Sequence, residues 1–169
     1  INTYDLSEFD KALEDVDKAI EIDQSYGIAY ALKADIFYFD IGGSASQTKK
    51  MLNKAFELSP NNPFVNFVKG DFHYDDAFIL LDKDKKELAI KSAEKALIHF
   101  KKVVENSQNN KDLIIKRIYP LGITYTATAL LGEAKFELYF LYKEINDRKN
   151  AKKYLEEALS DYTTAISMA

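Results

Sequence analysis

The chain of 169 residues is one domain's length, and its 47% of hydrophobic residues can build a core, which excludes a disordered tail. It has no cysteine, which excludes a disulfide framework and thiolate metal sites. The formal net charge of −4 argues against nucleic acid as the main partner, and no apolar run reaches the roughly 18 residues of a membrane-spanning helix.

Helical periodicity runs through the whole chain, which only three prolines and six glycines interrupt. In the first segment Leu13, Val16 and Ile20 fall on one stripe, as in an amphipathic helix. Strand-type alternation is hard to find anywhere, so the sequence predicts an all-α chain. In chain order, we expect helical segments at residues 12–22, 27–41, 48–58, 63–78, 89–99, 132–146 and 151–161.

Four of these segments repeat one another: ALEDVDKAIEI at 12–22, TKKMLNKAFEL at 48–58, AIKSAEKALIH at 89–99 and AKKYLEEALSD at 151–161. Small residues recur in the copies and allow helix backbones to approach closely. They are Ala12, Ala19, Ala55, Ala89, Ala96, Ala151 and Ala158. The copies start 36, 41 and 62 residues apart, so the larger gaps contain insertions.

The copies resemble the second helix of the tetratricopeptide repeat, a family that pairs two antiparallel helices in about 34 residues. Pro60 lies where that family ends its second helix, and Gly70 matches its characteristic glycine. The resemblance implies an all-α, tetratricopeptide-like α-solenoid of stacked antiparallel helical hairpins, with about seven or eight helices. It also implies a single domain over residues 1–169, with repeats at about 1–25 (partial), 26–61, 62–106 and 131–165.

Residues 107–130 interrupt this repeat pattern. Leu113, Ile114 and Ile118 make the segment too apolar for a solvated loop. Pro120 must end or kink any helix there, because proline lacks a backbone donor and clashes with the preceding turn. We therefore expect an extra helical insertion at about 107–130, packed against the array.

The signatures of enzymes are missing from the sequence. It has no glycine-rich phosphate loop and no nucleophile elbow, and its two histidines lack a metal-binding spacing. His73 with Asp75 and Asp76 comes nearest to a metal or acid–base cluster, but His73 falls on a helix packing position and is interpreted as a core histidine. We predict no catalytic residue, no cofactor and no metal.

The resemblance implies that first helices line a concave face and that side chains one helical step from the packing residues point into it. These residues form an aromatic, mildly acidic groove: Ile28, Ala31, Asp35, Tyr38, Phe64, Phe67, Asp71, Tyr74, Phe136 and Phe140, with Glu133 beside them. Such side chains fit the apolar face of a segment that bears lysine or arginine. Alternatively, the chain's own insertion fills the groove and these aromatics are core residues.

The predicted function is a non-catalytic protein–protein interaction module, a scaffold or assembly subunit, that binds a protein or peptide in this groove. The alternative is a small apolar ligand-binding or lipid-binding protein whose groove is closed by residues 107–130. Self-association through the N-terminal helix face is also considered, because the first repeat is cut. The start at Ile1 indicates a chain that is processed or cut from something longer. With the lack of cysteine it favours an extracytoplasmic protein, periplasmic or anchored, and leaves the cytoplasm open. Richness in lysine, asparagine, isoleucine and tyrosine is typical of a bacterium with an AT-rich genome.

Overall fold

Seven α-helices account for most of the residues that the computed structural model describes, namely 6–39, 44–107 and 122–168. In chain order they are α1 (Leu6–Ile22), α2 (Gly27–Phe39), α3 (Ala45–Leu58), α4 (Pro63–Asp82), α5 (Lys86–Ser107), α6 (Ile123–Glu144) and α7 (Arg148–Met168). No strand occurs within the described ranges. The all-α prediction is confirmed, and the helices are consistent with a tetratricopeptide-like α-solenoid.

Predicted and observed helix bounds agree best in the first half of the chain. There α1 ends at Ile22 and α3 at Leu58, as predicted. In contrast, α6 begins at Ile123, whereas the sequence predicted a separate helical insertion up to about residue 130 and a new helix from residue 132. Residues 123–130 of the expected insertion are thus the first turns of α6, and its residues 108–121, including Pro120, lie outside the described residues.

The chain forms two compact units, Ile1–Val68 and Lys69–Ala169, and the boundary between them falls inside α4. In the first unit α2 packs against both α1 and α3. Lys33 of α2 forms an ion pair with Asp17 of α1, which ties these two helices together. The single domain and the repeat boundaries inferred from the sequence remain predictions.

Asn62 begins α4 through its side chain. Its Oδ1 accepts hydrogen bonds from the backbone N–H of Phe64 at 2.9 Å and of Val65 at 3.2 Å. Free N–H groups in the first turn of a helix need such an acceptor, which is why asparagine is favoured before a helix. The buried side-chain amide of Asn66 donates to the carbonyl oxygen of Pro60 at 2.8 Å and secures the same turn.

The second unit contains two helical hairpins, one closed between α4 and α5 and the other between α6 and α7. Polar contacts join neighbouring helices: Ser92 of α5 donates to Asp76 of α4 at 2.6 Å, and Tyr142 of α6 donates to Glu94 of α5 at 3.0 Å. The helices enclose a hydrophobic core. Its buried residues are Ala77, Ala89, Ile90, Ala93, Ala96, Leu97, Phe100, Leu131, Ala134, Leu138, Leu141 and Tyr154.

The two hairpins close with the same turn, and their equivalent residues lie 62 positions apart. Asp84 has φ 54° and Asn146 has φ 62°, both in the left-handed region. The N–H of the next residue, Lys85 or Asp147, donates to the carbonyl five residues earlier, at 2.9 Å and 2.8 Å. This pattern is the Schellman motif, which satisfies the last carbonyls of a helix.

A close glycine–aromatic contact also recurs in both hairpins. A Cβ built on Gly70 would lie 2.7 Å from a ring atom of Phe100, and one built on Gly132 would lie 2.9 Å from a ring atom of Tyr162. The absence of a side chain is therefore what allows each first helix to approach the second helix of its hairpin. Gly70 was identified from the sequence, and its equivalent Gly132 was not.

Each of the described helices is too short or too polar to cross the hydrocarbon core of a membrane.

Candidate functional site

The structure separates the ten predicted groove residues by burial. The side chains of Ile28, Ala31, Phe64 and Phe67 are buried. Those of Asp35, Tyr38, Asp71 and Tyr74 are half-buried, whereas Phe136 and Phe140 are exposed. Burial raises the pKa of Asp35 to about 6. The complete ten-residue groove remains a prediction, and the residues that a partner can reach most readily lie in the second unit.

In the second unit, the accessible residues belong to a pattern that occurs twice. In each copy an acidic residue is followed three positions later by an aromatic residue. A second acidic residue comes directly after it, and a second aromatic residue follows three positions later. Equivalent members of the two copies lie 62 positions apart. We call these two sets the acid–aromatic stripes. The stripe of α4 consists of Asp71, Tyr74, Asp75 and Phe78, and that of α6 consists of Glu133, Phe136, Glu137 and Phe140. Residues three, four and seven apart share one face of a helix, so each stripe forms one continuous surface.

The aromatic members adopt the same geometry in both stripes. The rings of Tyr74 and Phe78 lie 4.9 Å apart at an angle of 86°, and those of Phe136 and Phe140 lie 4.9 Å apart at 81°. These are edge-to-face contacts, the arrangement that the ring quadrupole favours. Tyr139 packs beside the α6 stripe, since its ring lies 4.9 Å from that of Phe140. The aromatic pairs are therefore held in place before any partner binds.

The two stripes adjoin each other. Tyr74 and Phe78 of α4 line a cleft together with Glu137 and Leu141 of α6. The cleft has a volume of about 10 Å³, which is room for about one water molecule. Side chains from both helices therefore form one surface, and the cleft between them is too small to enclose an apolar ligand.

The carboxylates give this surface a negative charge. Burial, with the neighbouring Glu133 carboxylate, raises the pKa of Glu137. Burial also raises the pKa of Tyr74, and Glu133 and Glu137 raise it further. Among the described residues, neither Glu133 nor Glu137 forms an ion pair with a lysine or arginine. Hence the charge of these two groups is open to a cation from outside.

The opposite side of α6 carries a buried cation that sequence reasoning missed. Lys135 Nζ lies 2.7 Å from Asp161 Oδ2 and 3.3 Å from Glu157 Oε2, both on α7. The signal for it was available, because Glu157 and Asp161 are four residues apart and share one face of α7. Because two carboxylates surround it, the charge of Lys135 is neutralised within the hairpin and is not available to a ligand.

His73 and His99 occupy the equivalent place in the first hairpin. Their rings stack at 5.8 Å between centroids, with 12° between the ring planes. Burial, together with the charges of Lys69, His73 and Lys102, lowers the pKa of His99 to about 4. No group of three or more histidine, cysteine or acidic side chains arranged to hold a metal occurs in the described part of the chain.

A known family matches part of the sequence. Residues 140–160 match the family model of the tetratricopeptide repeat, and these residues span the end of α6, the turn at Asn146 and the first half of α7. No curated protein matches the chain. The tetratricopeptide repeat family is generally non-catalytic and mediates protein–protein interaction. The match at residues 140–160 therefore confirms that this chain resembles the tetratricopeptide repeat family.

Proposed function

We propose that the chain is a non-catalytic protein–protein interaction module, a scaffold or assembly subunit, and that it binds a protein or peptide on the two acid–aromatic stripes. The observation that carries the proposal is the exposure of aromatic rings there. Phe78, Phe136 and Phe140 are 37%, 36% and 43% exposed. Exposed apolar groups that adjoin one another, with charged groups at their edge, are typical of interaction sites.

The rings are suited to this role by their rigidity. Each is already packed edge-to-face against a neighbour in its own stripe, so little side-chain entropy is lost when a partner covers it. Aromatic side chains are also over-represented among the residues that contribute most to binding energy. Asp35 and Tyr38, which also belong to the predicted groove, remain predicted contacts of the partner.

The alternative of a small apolar ligand receives no support from the cleft between α4 and α6. A drug-sized or lipid ligand needs a pocket of roughly 300 Å³ or more. The cleft holds about 10 Å³. We therefore favour a macromolecular partner that lies across the stripes over a small molecule enclosed between them.

A displayed library of peptides, each about 20 residues long, would test the proposal. Peptides would be selected on the wild-type chain and then assayed on Phe136→Asp/Phe140→Asp. The matched control is Ile98→Asp/Leu159→Asp, which removes two exposed apolar side chains from α5 and α7. Circular dichroism would check that both variants are folded.

We expect the selected peptides to bind the wild type and the control, and to lose at least about tenfold in affinity on the stripe variant, as truncation at a binding centre usually does. Equal loss on the two folded variants, or no loss on either, would contradict the proposal. In that case the interaction surface lies elsewhere.

A further inference from the structure

The acid–aromatic stripes also indicate the chemistry of the partner, an inference that rests on the proposed function. Four carboxylates lie at matched positions of the two helices: Asp71 and Asp75 on α4, Glu133 and Glu137 on α6. On each helix an aromatic residue, Tyr74 or Phe136, comes directly before the second acidic residue. The order of charged and aromatic residues is therefore the same on both helices.

The charge on α6 is left for the partner to neutralise. At the end of the same helix Glu144 lies 3.1 Å from Lys86, and on its opposite side Lys135 lies 2.7 Å from Asp161. Within the described residues, Glu133 and Glu137 receive no such cation. Burial, and after it the Glu133 carboxylate, raises the pKa of Glu137, and a positive charge bound between the two carboxylates would relieve their repulsion.

Exposed aromatic rings surround these carboxylates. The rings distinguish the site from an ordinary acidic helix face that is covered by solvent. Phe136 and Phe140 flank Glu137 on α6, and Phe78 lies across the cleft from it. A lysine or arginine could extend its aliphatic stem over these rings and place its charge at the carboxylates. The surface is thus complementary to a chain that is apolar and cationic on one face.

We infer that the two acid–aromatic stripes bind an amphipathic helical segment that presents lysine or arginine to Glu133 and Glu137 of α6. A helix rises about 1.5 Å per residue, so positions i and i+7 lie on one face about 10 Å apart. Such a segment can cover the exposed rings with apolar side chains and carry its cations on the same face.

Three designed helical peptides of about 20 residues test this inference. They share one apolar face and differ only at positions i and i+7, which are both lysine, both glutamine or both glutamate. Fluorescence anisotropy would measure their affinity for the wild-type chain and for Glu133→Gln/Glu137→Gln. The control Glu105→Gln/Glu156→Gln removes the same charge from exposed positions on α5 and α7.

We expect the lysine peptide to bind the wild type about tenfold more tightly than the glutamine peptide, and the glutamate peptide to bind more weakly than both. The preference for lysine should shrink to about twofold on the stripe variant and in high salt, and persist on the control. Such a result would support the inference.

Equal affinities for the lysine and glutamine peptides would overturn the inference while the proposed function stands, because the stripes would then recognise apolar surface alone. Failure of all three peptides to bind would overturn it as well, and the library selection would decide the proposed function separately. If the wild type elutes as a dimer in size-exclusion chromatography and Glu133→Gln/Glu137→Gln as a monomer, the stripes are occupied by a second copy of the chain. That outcome would also overturn the inference.

Discussion

The two hairpins of the second unit can be compared residue by residue, because their equivalent positions lie 62 apart. The left-handed turn, the glycine–aromatic contact and the acid–aromatic stripe recur in both hairpins. The interior pair does not: His73 and His99 stack in the first hairpin, whereas Lys135 and Asp161 form an ion pair in the second. We infer that the close crossing of the two helices in each hairpin depends on the glycine and on the turn, because both recur. The pair of side chains between the helices can differ in chemistry, as His73–His99 and Lys135–Asp161 do.

The largest effect should come from removing the buried cation of the second hairpin. Lys135→Ala leaves Asp161 and Glu157 without their shared lysine, and breaking such a pair should lower the free energy of unfolding by about 3 kcal/mol. Lys153→Ala is the matched control, because Lys153 Nζ lies 3.9 Å from Glu157 but its side chain is exposed. It should cost less than about 0.5 kcal/mol. Urea unfolding would measure both, and equal costs would refute the structural role of Lys135.

The next effect tests whether the two glycines are equivalent. Gly70→Ala and Gly132→Ala each place a Cβ within 3 Å of an aromatic ring. Overpacking should cost about 2 kcal/mol, partly offset by the better helix propensity of alanine. Thermal unfolding would measure the loss, and Phe100→Leu should recover part of it in Gly70→Ala. If one substitution destabilises the chain and the other stabilises it, the two crossings are not equivalent.

The histidine pair should make the first hairpin sensitive to acid. The pKa of His99 is lowered from 6.5 to about 4, so the folded chain keeps this ring neutral where the unfolded chain takes up a proton. Stability should therefore fall as the pH decreases from about 6.5 to 4. His99→Phe should reduce the loss of unfolding free energy between pH 7 and pH 5 by about 1–2 kcal/mol. An unchanged pH dependence in urea unfolding would rule out this contribution.

The smallest effect concerns the left-handed turn residues. Asp84→Gly should raise the free energy of unfolding by about 0.5 kcal/mol, because glycine adopts φ near 54° without the strain of a Cβ. Asn146→Gly should gain less, since asparagine tolerates this region better than most residues. Comparison of the two melting temperatures would measure the difference, and a larger gain at Asn146 would contradict it.

Much of the helical order could be predicted from the sequence, because the three- and four-residue spacing of apolar side chains is a local property. The ends of α1 at Ile22 and α3 at Leu58 agree with that spacing. The start of α6 at Ile123 was missed. It follows Gly122, which has φ 91° and supplies no side-chain hydrogen bond to the helix, so the usual signal for a helix start is absent.

The candidate site was predicted in part. Asp71, Tyr74, Phe136 and Phe140 were identified through the family resemblance. Phe78 and Glu137 were missed, although both repeat at the same offset of 62 residues as their equivalents. Phe64 and Phe67 were placed in the same groove, and the structure buries them.

The residues alone are enough to conclude that this chain is helical, that its second helices repeat and that it resembles the tetratricopeptide repeat family. They do not reveal which phenylalanines are covered and which are exposed, because that depends on how the helices pack. Phe67 and Phe136 carry the same side chain on the same kind of helix, so local sequence cannot distinguish them. Burial depends on which other helices pack over a position, and those contacts join residues far apart in the chain.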